Sequence, residues 1–126
     1  MTFTYTGDNA NYNRALDALR ILEELEKISA QSECGGYIFL EGIRSVICKR
    51  LFGHYADVEV WHRVDRRHGF RCMRKLSTDA EDATCQKVVD RMAAKGILKI
   101  SASGKMAKLT VTMEDYALAN GWRIDN

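Results

Sequence analysis

Residues 87–121 have the sequence KVVDRMAAKGILKISASGKMAKLTVTMEDYALANG, and this stretch carries the clearest structural signals in the chain. The first part of this stretch belongs to an amphipathic helix that begins before Lys87. Its apolar residues recur at steps of three and four positions: Cys85, Val88, Val89 and Met92. Gly96 tolerates the positive φ that ends many helices, and the preceding Lys95 complements the helix dipole. The pattern predicts a helix that buries one face and ends at Gly96.

Two β-strands are predicted after this helix. Apolar and β-favouring residues fill 97–100 and 109–113, while the Ser, Gly and Lys residues of 101–105 have the chemistry of a hairpin turn. Thr112 is placed to cap a closing helix whose first turn is acidic. The order is helix, strand, turn, strand, helix.

This order is that of a winged helix-turn-helix, an arrangement that usually binds nucleic acid. The segments KVVDRMAAKGILKI and KLTVTMEDYALANG resemble the second half of a MarR-type winged-helix repressor, over roughly a third of the chain. The resemblance implies a recognition helix whose groove-facing start holds Ala83, Thr84, Gln86 and Lys87. It also implies a wing with Lys105 and Lys108 on or beside it.

Length and composition indicate one small domain. With 126 residues, 46% of them hydrophobic, the chain can bury a core. The prediction is an α+β, mostly helical winged helix over 1–126 with a small antiparallel sheet, and with the recognition helix and wing in 77–121. No apolar run approaches the roughly 20 residues that cross a bilayer, and no signal-peptide pattern is present. A cytoplasmic protein without a membrane partner is expected.

The first half of the chain predicts further elements. Leucines recur at helical spacing within 9–31, and two interpretations of this long helix stay open: it packs on its own domain, or it forms a homodimer. Residues 37–40 predict a strand that pairs with the wing, and 41–52 predict a helix ended by Gly53. A further buried segment, helix or strand, is predicted from Val58, Val60, Trp61 and Val64.

Charge is distributed unevenly along the chain. Residues 1–61 hold six Lys/Arg and nine Asp/Glu, a net charge of −3, whereas residues 62–126 hold thirteen and eight, a net charge of +5. The densest basic run lies just before the predicted recognition helix and contains Arg63, Arg66, Arg67, Arg71, Arg74 and Lys75. These side chains suit phosphate contacts. The alternative is a solvated face whose arginines pair with the acidic first half.

Base contacts are predicted for a different set of residues. Lys87 and Gln86 suit guanine and adenine edges, and Thr84 suits a phosphate or a thymine methyl; Arg91 is a further candidate, or else a scaffold residue. Three acids precede these positions and would either repel phosphates or cap the helix: Asp79, Glu81 and Asp82.

Enzyme and metal motifs are not recognised in the sequence. Cys34, Cys48, Cys72 and Cys85 show no paired C-x-x-C spacing and are expected to be free thiols. His62 and His68 lie near Cys72, but their spacing matches neither a nucleophile and base nor a zinc site. No catalytic residue, metal or cofactor is predicted.

The sequence therefore predicts a sequence-specific regulator of transcription that binds double-stranded DNA as a homodimer. The alternative is a winged-helix protein-interaction module, such as a phage or mobile-element inhibitor that docks on a host nucleic-acid-processing or defence complex. The acidic first half and the acids around the recognition helix favour this alternative.

Overall fold

The computed structural model describes residues 2–125, which form an α+β fold of four α-helices and seven strands. The helices are α1 (Tyr12–Ala30), α2 (Leu40–Phe52), α3 (Asp79–Ala94) and α4 (Met113–Ala119). The strands are β1 (Thr2–Tyr5), β2 (Tyr37–Phe39), β3 (Asp57–Arg63), β4 (Gly69–Lys75), β5 (Leu98–Ile100), β6 (Met106–Leu109) and β7 (Trp122–Asp125). None of the helices in this range has the length and apolar character to traverse a bilayer.

The long first helix belongs to the core. Leu19, Leu22 and Leu25 are at most 2% exposed, and the last two pack with residues of α2, α3 and the sheet. The predicted helix over 9–31 is confirmed, with a 3-10 turn at Asn9–Asn11 before α1. Because these leucines are covered within the chain, they give no support to dimerisation.

A three-stranded antiparallel sheet has the strand order β2–β6–β5. The predicted pairing of 37–40 with the hairpin that follows α3 is confirmed, with Ile38 of β2 opposite Ala107 of β6. Strand β6 begins at Met106, directly after the predicted turn, and therefore lies earlier than predicted. Val111 falls outside it because the chain leaves the sheet after Leu109 to reach the N-cap of α4. Thr112 caps α4, as predicted.

Helix α3 starts earlier than its apolar pattern suggested. Thr78 and Glu81 form a capping box, so the helix begins at Asp79, four residues before Ala83. Its predicted end is confirmed, since Gly96 adopts a φ of 75° just after the Lys95 C-cap. Cys85, Val89 and Met92 are buried, so the predicted core face is correct.

A second, smaller core joins the two ends of the chain. Strand β1 pairs antiparallel with β7, with Tyr5 opposite Trp122. Trp122 is buried against Leu19 of α1 and against Met113 and Ala117 of α4. This core fixes β7 and α4 beside the first half of α1.

A β-hairpin connects α2 to α3. Strands β3 and β4 pair with each other and with no other strand of residues 2–125. The prediction of a buried segment here is wrong, because Val58, Trp61 and Val64 are 42%, 58% and 67% exposed. Their apolar character reflects exposed positions on a ribbon that no other element covers.

Candidate nucleic-acid interface

The hairpin, residues 57–75, is called the basic ribbon below. Directly opposed residues of an antiparallel pair project to the same side, and successive residues alternate. One face, called the first face, therefore holds Asp57, Glu59, Trp61, Arg63, Gly69, Arg71, Met73 and Lys75. The second face holds Val58, Val60, His62, Phe70, Cys72 and Arg74.

This alternation divides the basic run that the sequence presented as one group. Arg63, Arg71 and Lys75 share the first face, whereas Arg74 lies on the second. The loop at the tip, 64–68, carries Arg66 and Arg67. The structure therefore brings five of the six cations onto the first face or the tip and separates Arg74 from them.

Few of these cations are neutralised by neighbouring acids. Arg71 lies 3.7 Å from Glu59, and both side chains are more than half exposed, so the pair contributes little. It is the one ion pair that joins a ribbon arginine to residues 2–61 of the described chain. Arg66, Arg67 and Arg74 make no ion pair with any part of 2–125. Most ribbon arginines are therefore available to an anionic partner.

The tip of the ribbon is held by one carboxylate. Asp65 Oδ1 accepts hydrogen bonds from the backbone N–H groups of Arg67 and His68, each at 2.8 Å, and lies 3.0 Å from Nδ1 of the His68 ring. These bonds, led by that from Arg67, hold the pKa of the Asp65 carboxyl below its usual 3.8. The turn that carries Arg66 and Arg67 is therefore held by hydrogen bonds to Asp65.

Aromatic side chains lie on both faces of the basic ribbon. On the first face the Trp61 ring covers Gly69, where an added Cβ would come within 2.4 Å of the ring, and the Arg71 guanidinium lies 5.9 Å from the ring centroid. On the second face His62 stacks on Phe70 with centroids 5.1 Å apart. Both faces are therefore organised by cross-strand contacts although they are open to solvent.

The base of the ribbon is anchored to α2 and to the start of α3. The Ala56 carbonyl accepts from the N–H groups of Leu76 and Ser77, and the Ala56 N–H donates to Ser45 Oγ of α2. Ser77 also donates to the Asp82 carboxylate in α3. Both ends of the inserted segment are thereby fixed beside the two helices that it connects.

Lys75 acts in this anchor. Its Nζ lies 2.9 Å from the Asp79 carboxylate and 2.8 Å from that of Asp82. Hydrogen bonds to Asp82 and then Asp79 raise the pKa of Lys75, and the same contact with Lys75 lowers the pKa of Asp82. Two of the acids that precede the predicted base-reading residues are thus paired, and Lys75 is occupied.

The third acid, Glu81, contacts a histidine between α2 and the ribbon. His54 Nε2 lies 3.0 Å from Glu81 Oε2, and Nδ1 lies 3.0 Å from the Tyr55 carbonyl. Both ring nitrogens face acceptors, so the doubly protonated ring satisfies both contacts. The contact with Tyr55, followed by that with Glu81, raises the pKa of His54 above 6.5.

An open cleft of about 630 Å³ lies between the basic ribbon and α3. Asp57, Met73 and Lys75 of the first face line it, together with Asp82, Ala83 and Gln86 of α3. Glu41 and Arg44 of α2 also line it, so three acids and two cations border the cleft. The first face is therefore the one that borders the same open surface as the N-terminal half of α3. Arg63 and Arg71 extend that face beyond the cleft.

The predicted base-reading residues of α3 have different environments. Lys87 is exposed and forms no ion pair within 2–125. Thr84 is exposed, but its hydroxyl donates to the Ala80 carbonyl. Gln86 is half-buried, accepts from Arg44 and donates to Asp90. Arg91 is exposed on the C-terminal half of α3 and lines a separate cavity.

The two lysines that were predicted for a wing, Lys105 and Lys108, lie at the three-stranded sheet. Lys105 is exposed beside the turn between β5 and β6, and Lys108 lies on β6 with its Nζ 6.0 Å from the centroid of the Tyr37 ring. Lys99, opposite Lys108 on β5, is a further exposed cation of the same sheet. The pairing register brings Lys99 and Lys108 together.

No family model, curated protein or solved structure matches the chain. Function is therefore inferred from the geometry of this molecule. Trp61, Phe70 and Met73 were not predicted as site residues, although each is at least 53% exposed on the basic ribbon. The sequence signal that indicates them is the mixture of basic and apolar residues in the short segments 57–63 and 69–75.

Protonation of Asp65 is predicted to loosen the ribbon tip. Because the folded-state pKa lies below 3.8, the bonds to Arg67 and His68 are present above that pH and lost as the pH falls through the folded-state value. Amide NMR should show both resonances moving in one transition with a midpoint below pH 3.8. A midpoint at or above 3.8, or the same transition in Asp65→Asn, contradicts this assignment.

The His54 contact is predicted to stabilise the protein at acidic pH. Because the folded-state pKa of His54 is raised above 6.5, its contribution is complete below 6.5 and disappears as the pH rises through the folded-state value. His54→Gln should lower Tm more at a pH below 6.5 than at a pH about two units above the folded-state pKa of His54. His62→Gln, on the exposed ribbon, is the control; equal losses of Tm at both pH values in His54→Gln exclude the coupling.

Proposed function

We propose that the protein binds double-stranded DNA and regulates transcription by sequence-specific recognition. The observation that carries this proposal is an open cleft that the first face of the basic ribbon shares with the N-terminal half of α3, with Arg63 and Arg71 of that face lying beyond the cleft. Arginines that lack acidic partners supply phosphate contacts, which dominate affinity. An exposed helix face beside them supplies base contacts.

A winged-helix assignment is supported by the order of elements and by the sheet. Elements α1, β2, α2, α3, β5 and β6 follow one another, with the sheet order β2–β6–β5. The basic ribbon then takes the place of the tight turn before the recognition helix. In this assignment α3 enters the major groove, which admits an α-helix, and 101–105 is the wing tip.

The proposal gives different roles to the predicted contact residues. Arg63, Arg66, Arg67 and Arg71 anchor phosphates from the ribbon, while Lys105 and Lys108 do so from the wing. Lys87 and Thr84 face base edges. Gln86 and Lys75 position α3 and the ribbon, since their side chains are engaged within the chain. A homodimer on two related half-sites completes the proposal.

Salt dependence tests the phosphate contacts. Replacing Arg63, Arg66 and Arg67 with Gln should reduce the slope of log affinity against log salt by about 2 to 3, because each phosphate contact contributes about 0.9. Affinity for duplex DNA from the chain's own upstream region and for a mixed-sequence duplex should be measured by fluorescence anisotropy between about 50 and 200 mM salt.

The matched control replaces Lys27, Lys49 and Arg123 with Gln, which removes three exposed cations from other parts of the fold. This variant should keep the wild-type slope. Lack of DNA binding by the wild type, or the same slope change in both triple variants, refutes the proposal. Equal affinity for the two duplexes refutes recognition of that upstream site.

A second candidate function is favoured by the apolar residues of the basic ribbon. Trp61, Phe70 and Met73 are 58%, 53% and 60% exposed, and aromatic residues, Met and Arg are enriched in protein interfaces. Exposed apolar patches of this kind mark binding sites. We propose, as the alternative, that the ribbon docks on a host nucleic-acid-processing or defence complex, as a phage or mobile-element inhibitor would.

Affinity capture from a nuclease-treated host lysate separates the two candidates. A direct protein partner should persist after nuclease treatment and be lost from a Trp61→Ala, Phe70→Ala variant, since both aromatic anchors are removed. The control, Phe39→Ala with Leu118→Ala, removes two apolar side chains of similar exposure outside the ribbon and should retain the partner. A partner set that vanishes with nuclease excludes protein docking.

A further inference from the structure

A second concave site lies on the side of α3 that carries Arg91. It is a cavity of about 500 Å³ bordered by α1, the C-terminal half of α3, α4 and β7. This volume lies within the range of pockets for small molecules. None of the residues that line it belongs to the basic ribbon or the wing turn, so the cavity is distinct from the proposed DNA surface.

The floor of this cavity is apolar. Ile21, Leu22, Met92 and Trp122 line it and are each at most 8% exposed. Tyr116 is half-buried at the same site, and burial raises the pKa of its hydroxyl, which therefore stays a neutral donor. A floor of this composition suits the hydrocarbon part of a ligand.

The rim of the cavity is cationic. Arg14, Arg91 and Lys95 line it, and all three side chains are exposed. None of the three forms an ion pair with the described part of the chain. The remaining polar lining residues include the neutral amides Asn11 and Asn120, and no Asp or Glu is among them. Three cations without an acidic partner therefore surround an apolar floor.

We propose that this cavity binds a small amphipathic organic anion, with its hydrocarbon body on the apolar floor and its carboxylate or sulfonate at the Arg14, Arg91 and Lys95 rim. Guanidinium groups hold carboxylates by paired, charge-assisted hydrogen bonds. A nucleic-acid phosphate would leave the buried floor unused, and a cationic or neutral amphiphile would leave the rim without a counter-charge. The inference is independent of DNA binding.

Fluorescence provides a reporter inside the cavity. The chain has two tryptophans, and Trp122 lines the floor whereas Trp61 lies on the basic ribbon. Trp61→Phe therefore leaves Trp122 as the single tryptophan. Decanoate is the probe, because it combines a flexible apolar chain with one carboxylate and does not absorb at tryptophan wavelengths. Decanol and decylamine share the chain length and differ in charge.

In the Trp61→Phe background, decanoate should change Trp122 emission saturably, and decanol and decylamine should bind at least tenfold more weakly. Replacing Arg14, Arg91 and Lys95 with Gln should weaken decanoate binding at least tenfold. The charge-matched control carries Arg66→Gln, Arg67→Gln and Arg74→Gln, and it should bind decanoate as tightly as the Trp61→Phe parent. Circular dichroism establishes that each variant is folded.

Ala18→Phe supplies a test that leaves the rim cations in place. Ala18 lines the cavity and is half-buried, so the larger ring should occupy floor volume and weaken decanoate binding at least tenfold. Equal affinities for decanoate and decanol overturn the proposal. So does a Trp122 response that fails to saturate, or one that survives both the rim substitutions and Ala18→Phe.

Discussion

Packing of α2 against α3 is the constraint on which the rest of the molecule depends. Ile43 and Ile47 of α2 and Val89 of α3 are at most 1% exposed, and burial of each such side chain stabilises the fold by on the order of 2 kcal/mol. Cys48 and Cys85 complete this contact, and desolvation raises the pKa of the Cys85 thiol to about 11. Because this core holds the two helices together, the segment 53–78 that connects them can extend away from the core as a hairpin.

The basic ribbon exists because its two ends are fixed by that core. A two-stranded hairpin alone is marginally stable in water. Here the Ala56 carbonyl closes the base, Asp65 closes the tip, and cross-strand contacts such as Trp61 over Gly69 order the middle. The apolar and basic residues between base and tip are free to face a partner. The fold thus concentrates exposed apolar and basic side chains on an element whose two ends are anchored to α2 and α3.

Acidic residues at the start of α3 have a structural role that changes the electrostatics of the surface. Asp79 and Asp82 bind Lys75, and Glu81 binds His54 and the Thr78 N–H. Their negative charges are offset locally, so the repulsion of phosphates that the sequence suggested is reduced. Unpaired cations occur instead on the basic ribbon and at the cavity rim. The ribbon lies beside the N-terminal half of α3, and the cavity lies beside its C-terminal half.

Sequence periodicity determined much of the local structure. The spacing of apolar residues predicted α1, α2 and α3, Gly53 and Gly96 marked helix ends, and Thr112 marked a helix start; the structure confirms each. These features are local because backbone geometry and capping depend on neighbouring residues. The basic run was likewise recognisable from composition. Its division between two faces follows only once 57–63 and 69–75 are known to be paired strands, because successive residues of a strand point to opposite sides.

Tertiary structure alone decided where these elements face and which side chains remain available. Apolar residues near Trp61 looked like core, yet no other element packs over them, and the leucines of α1 are covered within the same chain. Arg14 is far in sequence from Arg91 and Lys95, and the three side chains border one cavity only because α1 and the end of α3 both line it. Burial and the convergence of distant charges depend on long-range packing, which local periodicity does not contain.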